Sequence, residues 1–275
     1  MIKDIVVHLT GSPEDAVRLS FAQTVAQSLE ARVTGLQVHA LPDVIAITDP
    51  SGSAFLRALL DESAKAADEV TAALRPLIAK LGDFTELRRL DVFPGQVGEA
   101  LAAEARTSDL FIGTRPYGDP ARQQYIEEAV LFSSGRGCIF VPPNAKLSGK
   151  IDAVFVAWKN TREAARAVAE AIPFLQRAKL VVIGLVEEGG ASERFGDQPG
   201  ADIGRYLSRH GVRGEVRMVN GWSDAGSAIL NESKAMQADL IVMGGYGHSR
   251  LREWMLGGAT RKVLLNSEVP VLMAH

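Results

Sequence analysis

The chain has 275 residues and a single cysteine, Cys138. An intrachain disulfide is excluded, and a zinc site built on thiolates is not expected. No apolar run approaches the roughly 18–20 residues that a membrane-spanning helix needs, so no membrane partner is expected. Basic excess is also missing. Residues 1–150 carry 15 Lys and Arg against 19 Asp and Glu, and the remainder 15 against 14. Nucleic-acid binding ordinarily needs a cationic patch, so no nucleic-acid partner is expected. The N-terminus runs straight into a strand-like Ile5-Val6-Val7 with no secretory pattern, and the expected compartment is the cytoplasm.

Motifs that carry chemistry are equally sparse. None of His8, His39, His210, His248 and His275 has a partner at helical i, i+4 spacing, and no His-Glu-x-x-His occurs, so no metal is expected. The nearest approach to a nucleophile elbow, Gly221-Trp222-Ser223-Asp224-Ala225, ends in alanine, and Ser223 reads as a helix cap. Glu127-Glu128 and Glu187-Glu188 are adjacent, point apart on regular structure and read as solvated. Cys138 reads as a small buried hydrophobe. No evident nucleophile and base emerge, so no catalytic residue is assigned.

What the chain does have is one unit written twice. Asp4–Leu19 aligns without gaps on Asp152–Ala167, Val97–Leu101 on Ala225–Ile229, and Asp109–Ile112 on Asp239–Val242. Each copy alternates near-continuous Val/Ile/Leu runs with helical periods. Strands are expected near 3–9, 32–39, 85–92, 109–113 and 138–141, then near 152–158, 179–186, 213–219, 239–243 and 270–274. Helices are expected near 13–29, 54–81, 96–106 and 121–134, then near 161–176, 200–210, 223–236 and 256–266. This β/α alternation predicts an α/β fold: two tandem doubly wound domains, each a five-stranded parallel sheet flanked by helices. The boundaries are 1–145 and 151–275, with a linker around Pro142-Pro143-Asn144 to Gly149-Lys150.

The second copy ends in strand, glycine loop, helix and strand. Leu240-Ile241-Val242-Met243 leads into Gly244-Gly245-Tyr246-Gly247, and Gly257-Gly258-Ala259-Thr260 opens a helix. Glycines let backbone approach a ligand, and a helix N-terminus offers free N–H groups and partial positive charge, so the natural guest is a small anion. The spacing is neither a Walker loop nor a dinucleotide fingerprint. The first copy's counterpart, Gly113-Thr114-Arg115-Pro116-Tyr117-Gly118-Asp119-Pro120, has two prolines that remove donors and an aspartate that repels phosphate. No nucleotide is expected there. Ser12 before Pro13 reads as a helix cap.

The spacing Gly244-x2-Gly247-x9-Gly257 closely resembles that of the universal stress protein family, whose ATP-binding members carry Gly-x2-Gly-x9-Gly-Ser/Thr after the fourth strand. Val156-Ala157-Trp158 with Thr161-Arg162-Glu163-Ala164 also looks like that family's first strand and helix start. The whole chain resembles a tandem, two-domain member. The resemblance implies a stress-response sensor or modulator that binds ATP or another adenine nucleotide, with weak ATPase activity at most. It places Gly244 and Gly247 over the ribose and phosphates. Gly257, Gly258, Ala259 and Thr260 would act as donors at the helix start, and Ala157, Trp158 and Leu185 would lie near adenine. Arg250 and Arg252 would add charge, while His248, Trp254 and Met255 read as loop residues. Two departures stand out. Gly258 replaces the hydroxyl residue, and Lys159 stands where members often carry an acid, so a metal-free ligand is expected. The resemblance also implies that Ile139-Phe140-Val141 and Val271-Leu272-Met273 pair as an intrachain pseudo-dimer, with a further homodimer of chains conceivable. The competing reading is a partner-binding scaffold in which both sites have decayed.

Overall fold

The computed structural model describes residues 1–43, 50–82, 85–117, 125–145, 147–186, 200–246 and 258–275. The first half contains β1 (Asp4–Leu9), α1 (Asp15–Leu29), β2 (Arg32–Ala40), α2 (Pro50–Ala79), β3 (Thr85–Val92), α3 (Val97–Arg106), β4 (Leu110–Thr114), α4 (Tyr125–Ser133) and β5 (Gly137–Val141). The second contains β6 (Ala153–Trp158), α5 (Arg162–Leu175), β7 (Leu180–Val186), α6 (Ala201–Arg209), β8 (Glu215–Val219), α7 (Ala225–Ala235), β9 (Leu240–Gly244), α8 (Ala259–Asn266) and β10 (Val271–Ala274).

All ten strands form one sheet in the order β3-β2-β1-β4-β5-β10-β9-β6-β7-β8. Each half is parallel, and the halves join where β5 and β10 pair antiparallel, Val271 opposite Phe140 and Met273 opposite Cys138. Both joining strands are buried along their whole length. Alternate side chains feed two cores. Ile5, Val7, Val154 and Val156 face α1, α2, α5 and α6. Val6, Phe111, Phe155 and Ile241 face α3, α4, α7 and α8. Helices on both faces explain why the strands read as continuous apolar runs rather than alternating ones. No helix among the described residues is long and apolar enough to cross a membrane.

Strand order reverses between β1 and β4 in the first half and between β6 and β9 in the second. At such a switch point neighbouring connections leave in opposite directions and open a crevice beyond the carboxyl ends of the strands. The fold therefore creates two equivalent hollows, one per half.

The repeat is real in space, but the gapless alignment of its first segment is one residue out of register. Asp109 accepts hydrogen bonds from the amides of Lys3 (2.7 Å) and Asp4 (3.1 Å). Asp239 accepts them from Asp152 and Ala153, both at 2.9 Å. Lys3, not Asp4, is thus the counterpart of Asp152. Strand pairing agrees, with Ile5 opposite Leu110 and Val154 opposite Leu240. The coincidence of Asp4 with Asp152 favours the wrong register, because it adds to the matches Val6/Val154, Ala16/Ala164 and Arg18/Arg166, while the correct one offers only Val7/Val156, Glu14/Glu163 and Ala16/Ala165 over the same stretch. On the structural register His8 corresponds to Ala157, and Thr114 to Gly244. Glu127 and Glu128 correspond to Thr260 and Arg261. Gly98 and Gly226 are equivalent as expected. A methyl on either would stand 2.7 Å from the Ala129 side chain or 2.9 Å from that of Lys262, so both glycines allow two helices to touch.

Candidate functional site

A cavity of about 100 Å³ opens at the switch point of the second half. Ala157, Ile229, Met243 and Val186 give it an apolar floor, and Trp158 and Lys159 form one wall. Three helices begin at its rim: α5 at Thr161 to Ala164, α7 at Ala225, and α8 at Ala259 and Thr260. The first two starts are closed by side chains. Thr161 Oγ1 accepts from Ala164 N at 3.3 Å, and Asp224 Oδ1 accepts from Ser227 N at 2.9 Å. Gly258, the cap of α8, has no side chain to offer. The first bond of that helix runs from Lys262 N to Gly258 O (3.1 Å), so the amides of residues 259–261 precede the ladder and point outward from the helix end.

Charge is distributed unevenly around the rim. The Glu163 side chain is buried and pairs with Arg162 at 2.9 Å. Burial pushes its carboxyl up, but its own backbone N–H and Arg162 outweigh that and hold it below the usual carboxylate range. The positive end of α5 is therefore already answered by the protein. Asp224 is drawn down to about 2, first by the Lys262 ammonium at 2.8 Å and then by the Ser227 N–H. At the α8 start the side chains are those of neutral Ala259 and Thr260, so an anion is best accommodated there. Among the described residues no group of three or more His, Cys, Asp or Glu side chains converges as a metal site would require.

Of the residues singled out from sequence, Ala157, Trp158, Lys159, Gly244, Ala259 and Thr260 line the cavity. Leu185 does not. It is fully buried and packs beneath Gly200, while its neighbour Val186 lines the cavity, as strand alternation requires. Gly244 has a structural reason of its own. A Cβ there would lie 2.6 Å from Ala164 N and 2.8 Å from Glu163 C, so β9 can end against α5 only without a side chain. The Thr260 hydroxyl is buried and accepts from Tyr246 N at 3.4 Å. Gly247 and Gly257 lie outside the described residues, as do His248, Arg250, Arg252, Trp254 and Met255. Glu187-Glu188 and Gly118-Asp119-Pro120 also lie outside them. Thr161, Glu163, Ala225, Ile229 and Met243 line the cavity without having been named as site residues. The signal for the first two was the Thr161-Arg162-Glu163 helix start. Ser223 is not the cap of α7; the next residue, Asp224, is.

The equivalent hollow of the first half is filled from within. His8 and Glu127, counterparts of Ala157 and Thr260, are buried and 3.5 Å apart. Beside them Asp15 pairs with Arg18 and accepts from Thr10 N (3.1 Å) and Gly11 N (2.7 Å). Arg18 also donates to Thr10 Oγ1 at 2.9 Å, and Thr114 donates to Glu14 at 3.4 Å. Asp15, not Ser12, satisfies the amides ahead of α1. Glu127 sits in the first turn of α4 and supplies there the negative charge that a helix start attracts.

A third cluster was invisible in the sequence. Ser63 Oγ lies 2.8 Å from His39 Nε2, and His39 Nδ1 lies 2.7 Å from Asp91 Oδ1. The order is that of a hydrolytic relay, but its surroundings are not. Ser63 is mid-helix in α2, where its amide belongs to the helix ladder and cannot serve an oxyanion. Asp91 is nearly half exposed and shared with Arg89. The relay ties α2 to β2 and β3.

Comparison with known proteins agrees with this geometry. Residues 150–275 match the universal stress protein family. The "Universal stress protein Slr1230" of Synechocystis sp. is 34% identical over 68 residues, which is 25% of this chain and 23% of that relative's length. A universal stress protein from Archaeoglobus fulgidus has a similar fold at TM-score 0.75 and 19% identity, covering 98% of this chain and 95% of its own. A putative universal stress protein from Pseudomonas aeruginosa gives 0.57 and 14%, covering 98% and 92%. The family match thus covers a little under half of the chain, its second half, and the chain as a whole shares its fold with solved universal stress proteins.

Proposed function

We propose that this is a cytoplasmic stress-response protein that binds an adenine nucleotide or similar small anion in the second half, as a sensor or modulator. The observation that carries the reading is the start of α8, which no side chain caps, at a cavity where two other helices also begin. In the first half the same position holds Glu127. The phosphate end of the ligand belongs at residues 258–260, away from Glu163. The sugar belongs near Glu163, whose carboxylate accepts from hydroxyl groups, and the base lies against Ala157 and Trp158. Lys159 supplies a point charge where a metal-binding acid would otherwise stand. Binding is therefore independent of divalent metal.

Native mass spectrometry of freshly purified protein, followed by titration with ATP, ADP and AMP, tests this. The expected result is one nucleotide per chain, with affinity unchanged by EDTA. No uptake at millimolar nucleotide would favour the partner-binding scaffold instead.

A further inference from the structure

Gly245 and Tyr246, the residues that follow β9, are held by the other half of the molecule. Tyr246 Oη donates to Glu128 Oε1 of α4 at 2.9 Å. Tyr117, from the first half's own loop after β4, donates to the same oxygen. Burial pushes both phenols well above their ordinary range, so both remain donors to the one carboxylate. The Tyr246 ring packs 5.1 Å from that of Phe132, also on α4. Gly245 passes so close that a methyl on it would stand 3.0 Å from Leu131. Tyr246 itself has φ +56°, a left-handed conformation that a bulky residue keeps only when its surroundings impose it. Its amide then reaches Thr260 Oγ1. The arrangement is reciprocal. Arg261, the counterpart of Glu128, lies over the Tyr117 ring at 5.2 Å. Each half's fourth helix thus grips the other half's loop tyrosine.

We propose that Glu128 is a positioning residue for the second-half site. From the first half it fixes Tyr246, and through Tyr246 the start of the glycine loop and the Thr260 hydroxyl at the α8 rim. This rests on the nucleotide reading above and extends it. The half whose hollow is filled becomes the support that preforms the other half's site, so the ordering of Tyr246 precedes ligand arrival.

The test compares the full-length protein with Glu128→Ala and Glu128→Gln. Amide exchange at Tyr246 is read without nucleotide, and ATP affinity by titration. Glu128→Ala is expected to speed exchange of the Tyr246 amide at least tenfold and to weaken ATP roughly tenfold. Glu128→Gln, which keeps an acceptor oxygen, should restore most of both, whereas a merely space-filling role would not separate the two variants. Tyr246→Phe, which keeps the ring on Phe132 and removes the hydroxyl, should reproduce the alanine effect if Glu128→Ala fails to fold. Unchanged exchange in these variants overturns the proposal. Faster exchange with unchanged ATP affinity overturns its role in binding. Wild-type protein that takes up no nucleotide overturns the functional reading instead, and the exchange data then decide the positioning role alone.

Discussion

Nδ1 of His8 lies 3.5 Å from Oε1 of Glu127, and this pair stands where Ala157 and Thr260 border the cavity of the second half. The two halves share a backbone plan and differ in what fills its switch point. In one, a carboxylate of the chain answers the N-terminus of the fourth helix. In the other, neutral residues leave that electrostatic demand open to a ligand.

Because the filled hollow is buried, its members should be strongly interdependent. Glu127→Ala strands the remaining polar groups and should cost about 3 kcal/mol in urea unfolding. His8→Ala combined with Glu127→Ala should cost less than the sum of the single changes. Strict additivity would show that the two side chains do not act as a pair.

Gly244→Ala should lower the urea midpoint by the equivalent of about 1–3 kcal/mol, since the new methyl meets the backbone of Glu163 and Ala164 rather than a movable side chain. The counterpart Thr114 carries a side chain, whose hydroxyl donates to Glu14 at 3.4 Å. An unperturbed midpoint would mean that Gly244 is kept for a ligand alone.

Asp224 gives a pH signature. Its folded value of about 2 lies below its ordinary 3.8, owing first to Lys262 and then to Ser227 N–H. Its contribution is therefore complete above about pH 4 and lost as pH falls through about 2. Asp224→Ala should remove a cap worth about 1 kcal/mol at neutral pH and flatten the stability curve within that window. An acid limb identical to wild type would rule out this role.

Cys138 is fully buried in β5, and burial pushes its thiol up to about 12. A thiol reagent such as Ellman's should find nothing in the native protein and one thiol per chain in denaturant. Rapid native labelling would show that the β5–β10 seam opens.

Architecture was largely legible in the sequence. β3 falls on residues 85–92 as read, and most other elements lie within two residues of expectation, because strands covered on both faces announce themselves as apolar runs. Gly244 was legible for a related reason, since a glycine marks close backbone approach, and there β9 ends against α5. Other relationships were hidden, as the Ser63–His39–Asp91 cluster was. The one-residue register error arose because Asp4 and Asp152 match by identity, while Lys3 and Asp152 match only through hydrogen bonds to distant aspartates. Leu185 and Val186 are indistinguishable without knowing which face each occupies. The meeting of His8 with Glu127, and of Glu128 with Tyr246, joins residues more than a hundred positions apart, and no local pattern records such contacts.

The most direct measurement transplants the plug. Ala157→His together with Thr260→Glu copies His8 and Glu127 into the second half, where the same backbone plan should accommodate them. Uptake of ATP, ADP or AMP by wild type and loss of at least a hundredfold in affinity in the double variant, with folding cooperative in both, is the predicted result (about 2.7 kcal/mol or more). Equal affinity in the two proteins would contradict the claim that the α8 rim is where the ligand's negative charge resides.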